Sequence, residues 1–199
     1  MDLRFAERMK NVKKSFIREI LKVVGNPEII SFAGGLPNPI SFPVKGIQEV
    51  TNKILQEDGE NILQYSTTEG YLPLREYISE RYLKNSGLKI DPEEILITNG
   101  SQQGLDLIGK IFIDKDDDIL IEEPGYLGAI QSFSMYEPKF HAIPMLEDGV
   151  NIDLLEENLK KYDPKLFYAV PNFQNPSGIT YSAENREKVA ALLKGSNTI

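Results

Sequence analysis

From residue 95 onward, short apolar runs alternate with helix-length amphipathic stretches, and this alternation restricts the fold more than any other feature of the chain. The runs "EILIT", "DILIE", "KFHAIPM" and "KLFYAV" have the length and the β-branched and aromatic content of buried strands. Between them apolar residues recur every three to four positions: Leu105, Ile108, Ile111 and Phe112 in one stretch, Leu154, Leu155, Leu159 and Tyr162 in another. Strands separated by helices predict parallel pairing through helical crossovers. The expected class is therefore α/β, a mainly parallel sheet with helices on both faces.

The first ninety-odd residues read differently. A Gly/Pro-rich passage, "SFAGGLPNPISFP", is followed by two helical patterns. One carries Ile47, Val50, Ile54 and Leu55; the other carries Leu74, Tyr77, Ile78 and Tyr82 and stops near Gly87. The expected division is an arm and small-domain segment over 1–45 and part of a large domain over 46–199.

Several function classes are excluded by composition. A net charge of −8 disfavours broad contact with nucleic-acid phosphates or anionic lipid, both of which reward clustered Lys and Arg. With no cysteine there are no disulfides, thiolate zinc sites or Cys nucleophiles, and a single histidine, His141, rules out the HExxH zinc motif. His141 lies in the strand-like "KFHAIPM" and reads as a structural, hydrogen-bonded group. The acidic cluster Asp114, Asp116, Asp117 and Asp118 fails the calcium-loop pattern, because the sixth and twelfth places hold Ile119 and Gly125. It reads as a solvated turn, so no metal is expected. No stretch approaches membrane-spanning length, and a cytoplasmic location is expected.

In open parallel sheets ligands bind beyond the carboxyl ends of the strands, which directs attention to the loops that follow each run. Three of these are unusual: "NGSQQG" (99–104), "EEPGYLG" (122–128) and "PNFQNPSG" (171–178). Gly100 and Ser101 open a helix, where free N–H groups suit an anion but where Gly-Ser taken alone is mostly plain capping. Tyr126 follows a Pro-Gly turn and offers either a stacking face or a core-rim ring. Asn175 offers an amide donor, or an Asx turn. Taken together, an anion cradle, a flat ring and an amide donor at one end of one sheet describe a pocket for a planar phosphorylated ligand.

At these residues the sequence resembles the fold type I, pyridoxal-phosphate-dependent aminotransferases of class I/II, with the aspartate aminotransferase-like fold. The likeness is greatest to the branch of 2-aminoadipate and kynurenine aminotransferases. Its marks, in order, are "SFIREIL", "SFAGGLPNP", "LQYSTTEGYLPLRE", "ITNGSQQGLDLIGKIF", "EEPGYLGAIQ" and "FYAVPNFQNPSGI". The resemblance implies that Gly100, Ser101 and Gln102 hold the phosphate of pyridoxal 5'-phosphate, that Tyr126 stacks on its ring, and that Asn175 donates to its O3' oxygen and helps hold the substrate carboxylate. It also implies that Tyr65 reaches the partner's cofactor phosphate across a homodimer, that the backbone of Gly35 touches the substrate carboxylate, and that Arg18 meets a distal carboxylate. The implied partners are an amino acid and a 2-oxo acid such as 2-oxoglutarate, with 2-aminoadipate or aromatic donors.

In this family a lysine forms the Schiff base, an aspartate pairs with the ring nitrogen and an arginine binds the α-carboxylate. None of the three stands in matching context here, and "ALLKGSNTI" departs from the apolar strand expected after "REKVAALL". The chain therefore reads as the N-terminal half of an aminotransferase, with the sheet incomplete at its C-terminus and no catalytic residue of its own. "EILIT" is expected to lack a strand neighbour, and the chain alone is expected to be aggregation-prone and to develop no yellow Schiff-base band. Two alternatives share the pattern: an effector-binding domain of a transcriptional regulator, and a lyase on the same fold. Against the regulator, Met1 lies only fourteen residues before the matched segment.

Overall fold

The computed structural model describes residues 4–10 and 37–199. The chain divides into two compact units, Lys14–Ile97 on one side and Met1–Lys13 with Thr98–Ile199 on the other. The second unit is built on a four-stranded sheet of β1 (Asp118–Glu123), β2 (Lys139–Leu146), β3 (Gly149–Val150) and β4 (Leu166–Tyr168), in the order β3-β2-β1-β4. β1 is central and parallel to both neighbours, with Ile121 opposite Ala142 on one side and Tyr168 on the other. A tight hairpin adds β3 antiparallel to β2. The parallel sheet inferred from alternation is present.

The period-two geometry of β1 sends successive side chains to opposite faces, so each face has its own core. Ile119 packs with Leu105, Ala129, Phe133 and Leu166, under the helices we call α3 (Ser101–Phe112) and α4 (Leu127–Ser134). Leu120 packs with Ile143, Val150, Leu155 and Tyr181, under α5 (Ile152–Tyr162) and α6 (Ala183–Leu193). Each of the Leu, Ile, Val and Phe side chains among these contributes roughly 1.5–3 kcal/mol on burial. Asn151 caps α5 through Leu154 N at 3.0 Å, and Ser182 caps α6 through Asn185 N at 3.0 Å.

"EILIT" is not a strand. Ile95 is extended, but the run forms no ladder, and Ile97 N donates instead to Glu69 O at 2.9 Å. Strand composition without a neighbour does not make a strand, because the backbone groups must be paired across a ladder. "KLFYAV" pairs with β1 over three residues only. On its outer side one rung is filled by the last residue: Phe167 N donates to Ile199 O at 2.8 Å and Ile199 N to Lys165 O at 3.1 Å.

In the Lys14–Ile97 unit, α1 (Val44–Ile62) is interrupted at Asp58 and α2 (Leu72–Ser86) ends on Gly87 in the left-handed region, where the sequence placed its stop. No residue of α1 is buried, so Ile47, Val50, Ile54 and Leu55 are all exposed despite their helical spacing. Arg75 is buried, donating to Pro92 O at 2.9 Å and Glu93 Oε1 at 3.2 Å. No helix among the described residues is long and apolar enough to cross a membrane.

Candidate functional site

The three loops singled out by sequence belong to one unit, Thr98–Ile199. The first enters α3. Gly100 takes φ 78° and ψ 170°, a region essentially reserved for glycine, and as N-cap it has no side chain to accept from the helix. The first-turn N–H groups of α3 are therefore left without a cap, and the helix dipole adds partial positive charge there. Ser101 and Gln102 are exposed at this end. Gln103 folds back to accept from Asn99 N at 2.6 Å, which holds the entry turn in shape.

The second loop leaves β1 through a cis Glu123-Pro124 peptide and delivers Tyr126 as the N-cap of α4. The ring lies over Gly128, where an added Cβ would fall 2.6 Å from it, and stacks on Tyr168 at 6.5 Å and 25°. Burial first, then the neighbouring Tyr126 and Glu122, raises the Tyr168 phenol above its ordinary value. Gln102 Nε2 approaches Gly128 O at 3.5 Å, so the first and second loops meet.

The third loop leaves β4, and its two amides do different work. Asn172 Oδ1 accepts from Arg186 Nη2 at 2.8 Å, while the same guanidinium holds Pro171 O at 2.7 Å and Tyr181 O at 3.1 Å. Asn175, reached through a cis Asn175-Pro176 peptide, is exposed, and its side chain has no hydrogen-bond partner among the described residues. One amide is structural; the other is available to a ligand.

Beneath the loops lies a group that sequence reasoning passed over. Glu122 is 1% exposed and accepts from Val170 N at 2.9 Å, Gln174 Nε2 at 3.0 Å and Tyr181 Oη at 2.5 Å. Burial and this bond raise the Tyr181 phenol, which therefore stays protonated as a donor. The available signal was a glutamate at the end of an otherwise apolar strand. Arg186 and Gln174 gave no comparable signal.

The remaining sequence candidates are dispersed. Tyr65 belongs to the other unit and is 99% exposed. Arg18 and Gly35 lie outside the described residues. His141 is structural, with Nε2 2.6 Å from Asp118 Oδ1 and its ring stacked on Tyr162 at 3.6 Å. Asp114 and Asp117 form a turn through Asp114 N to Asp117 Oδ2 at 2.8 Å. Among the described residues no acidic or histidine cluster could hold a metal.

Comparison with known proteins bears on this geometry. Residues 39–199 match the family "Aminotransferase class I and II". A 2-aminoadipate transaminase of Thermus thermophilus is 47% identical over 87% of this chain and 42% of its own length. The structure of a Pyrococcus horikoshii kynurenine aminotransferase, solved with PMP and with kynurenine as substrate, superposes with a TM-score of 0.90 at 39% identity, over 98% of this chain and 49% of that one. An uncharacterized HTH-type transcriptional regulator of Bacillus subtilis is 31% identical over 90% of this chain and 37% of its length. The chain thus spans less than half the length of the curated relatives it matches. With the aspartate aminotransferase-like architecture and the family match covering the sheet and all three loops, the chain belongs to the class I and II aminotransferases.

Proposed function

We propose that this chain forms the cofactor-phosphate and ring-binding side of a pyridoxal-phosphate-dependent aminotransferase. The reaction moves an amino group from an amino acid, 2-aminoadipate or an aromatic one, to a 2-oxo acid such as 2-oxoglutarate. The observation that carries this reading is the uncapped α3 terminus at Gly100, joined through Gln102 to the loop of Tyr126, with the unpartnered Asn175 amide on the third loop of the same unit. The residues fit the group: N–H donors and the Ser101 hydroxyl for a phosphate, a phenol ring for a pyridine face, an amide donor for a phenolic oxygen.

The cofactor, when bound, supplies an electron sink for the bond being broken at the substrate Cα. The chain's own residues bind and orient. The α3 terminus, Ser101 and Gln102 anchor the phosphate, Tyr126 fixes the ring plane, and Asn175 directs a proton toward the ring oxygen or toward the substrate carboxylate. Tyr65 serves the phosphate of a partner subunit in a homodimer, and Gly35 and Arg18 contact the substrate carboxylates. We place the protein in the cytoplasm.

The test is binding, read by fluorescence titration for pyridoxamine phosphate and by phosphorus NMR for inorganic phosphate. Saturable binding of both is expected, and Ser101→Ala should weaken both by about tenfold, the worth of one charge-assisted hydrogen bond. Equal affinity in the variant, or absence of binding to the parent chain, overturns the assignment. The relation to an HTH-type regulator favours a second reading, effector sensing through the same cradle. In a longer protein that carries these loops together with the Schiff-base lysine, exchange of amino groups between an amino acid and a 2-oxo acid separates the two.

A further inference from the structure

We infer that Glu122 is a positioning residue: a buried carboxylate that sets the Tyr126 loop and the Asn175 loop in register with each other. The inference rests on the reading above for its ligand, but its geometry stands without one. Glu122 is buried, with neutral donors on both of its oxygens: Val170 N and Tyr181 Oη on Oε1, Gln174 Nε2 on Oε2. No cation is paired with it among the described residues, so those three bonds are what compensates the charge.

Gln174 transmits the constraint. It is 1% exposed, and its amide is almost fully committed: Nε2 donates to Glu122 Oε2 and, at 2.7 Å, to Pro124 O, while Oε1 accepts from Ser177 N at 2.8 Å. Pro124 stands two residues before Tyr126, and Gln174 is the residue immediately before Asn175. One amide therefore bolts both loops together, and Glu122 joins Pro124 O and Ser177 N in fixing which way that amide faces. Its backbone is pinned too, with Gln174 N donating to Ile179 O at 2.8 Å.

A donor count shows why a carboxylate is required. Glu122→Gln keeps the shape but turns one acceptor oxygen into a donor. If the new NH₂ takes the Oε1 side it opposes Val170 N–H. If it takes the Oε2 side it opposes Gln174 Nε2, and relief by flipping Gln174 places an NH₂ against Ser177 N–H and an oxygen against Pro124 O. Either arrangement displaces a loop that carries a ligand-facing group. Tyr181→Phe removes a single donor and lets the carboxylate shift, drawing the Gln174 amide with it without inverting it, so its effect on the loop signals should be smaller and in the same direction.

The test uses the full chain with nitrogen-15 NMR and the two titrations above. Glu122→Gln should move or split the amide signals of Gly125, Tyr126 and the non-proline residues of 172–181, including the Asn175 side-chain amide, while those of Ser101 and His141 stay in place. It should weaken pyridoxamine phosphate about tenfold or more, with inorganic phosphate changed less than about twofold. Unchanged loop signals overturn the inference, as do changes spread through the whole unit or equal losses for both ligands. If Glu122→Gln does not fold, Tyr181→Phe carries the same readouts, and an unaltered Asn175 signal there overturns it. If the loop signals respond but the parent chain binds no pyridoxamine phosphate, the positioning role holds and the cofactor reading fails.

Discussion

Phe133→Ala is expected to destabilise the Thr98–Ile199 unit by about 3–5 kcal/mol, the cost of emptying a large aromatic site in a packed core. Phe133 is 1% exposed on α4 and contacts the face of the sheet made by Ile119 and Leu166, with the Tyr168 ring edge-on at 6.0 Å and 76°. Two losses add: the transfer of the ring out of water and the cavity left beneath α4, where helix and sheet cannot close fully. A shift of the urea midpoint at constant slope measures it. Since whole domains are stable by only about 5–15 kcal/mol, the variant should be close to unfolding at 37 °C. A loss under about 1 kcal/mol would mean that the ring is not packed as described.

Gly149→Ala should be nearly as damaging, for a different reason. Gly149 opens β3 at φ 143°, which side chains of L-residues rarely adopt, and an added Cβ would lie 2.3 Å from Asn185 Cγ. Asn185 cannot yield freely, because its Nδ2 donates to Val150 O at 2.9 Å and the residue is buried at the start of α6. Strain of about 1–3 kcal/mol and a broken buried hydrogen bond of about 1–3 kcal/mol give roughly 2–6 kcal/mol. Combining Gly149→Ala with Asn185→Ala should cost less than the sum of the two alone, since the clash disappears with the amide. Strict additivity would refute the contact.

Much of this was readable from residue order because the information is local. The buried run of β1, the strand β2 with Ile143 alone fully buried, the helix between them, the Gly87 stop and the three loops all follow from periodicity and turn chemistry. What was not readable depends on partners distant in sequence. "EILIT" has strand composition and no ladder, since pairing is decided by a neighbour rather than by the run itself. Ile111 and Phe112 are apolar and helical yet exposed. Glu122 and Glu123 look alike in the sequence, and only the direction of the last residues of β1 buries the first and leaves the second at the surface. Asn172 is set apart from Asn175 by Arg186, fourteen residues beyond it on α6, which takes Asn172 as an acceptor.

The central place of β1 has a consequence for how the chain is made. Both neighbours of β1 come after it, and its second edge closes only when Tyr168 pairs with Ile121. At a translation rate of about 5–20 residues per second, the stretch from 121 to 168 takes roughly 2–9 s to synthesise. For that interval the most deeply buried strand of the sheet has an open side, and a ribosome-bound chaperone has its clearest reason to attend this stretch of the nascent chain.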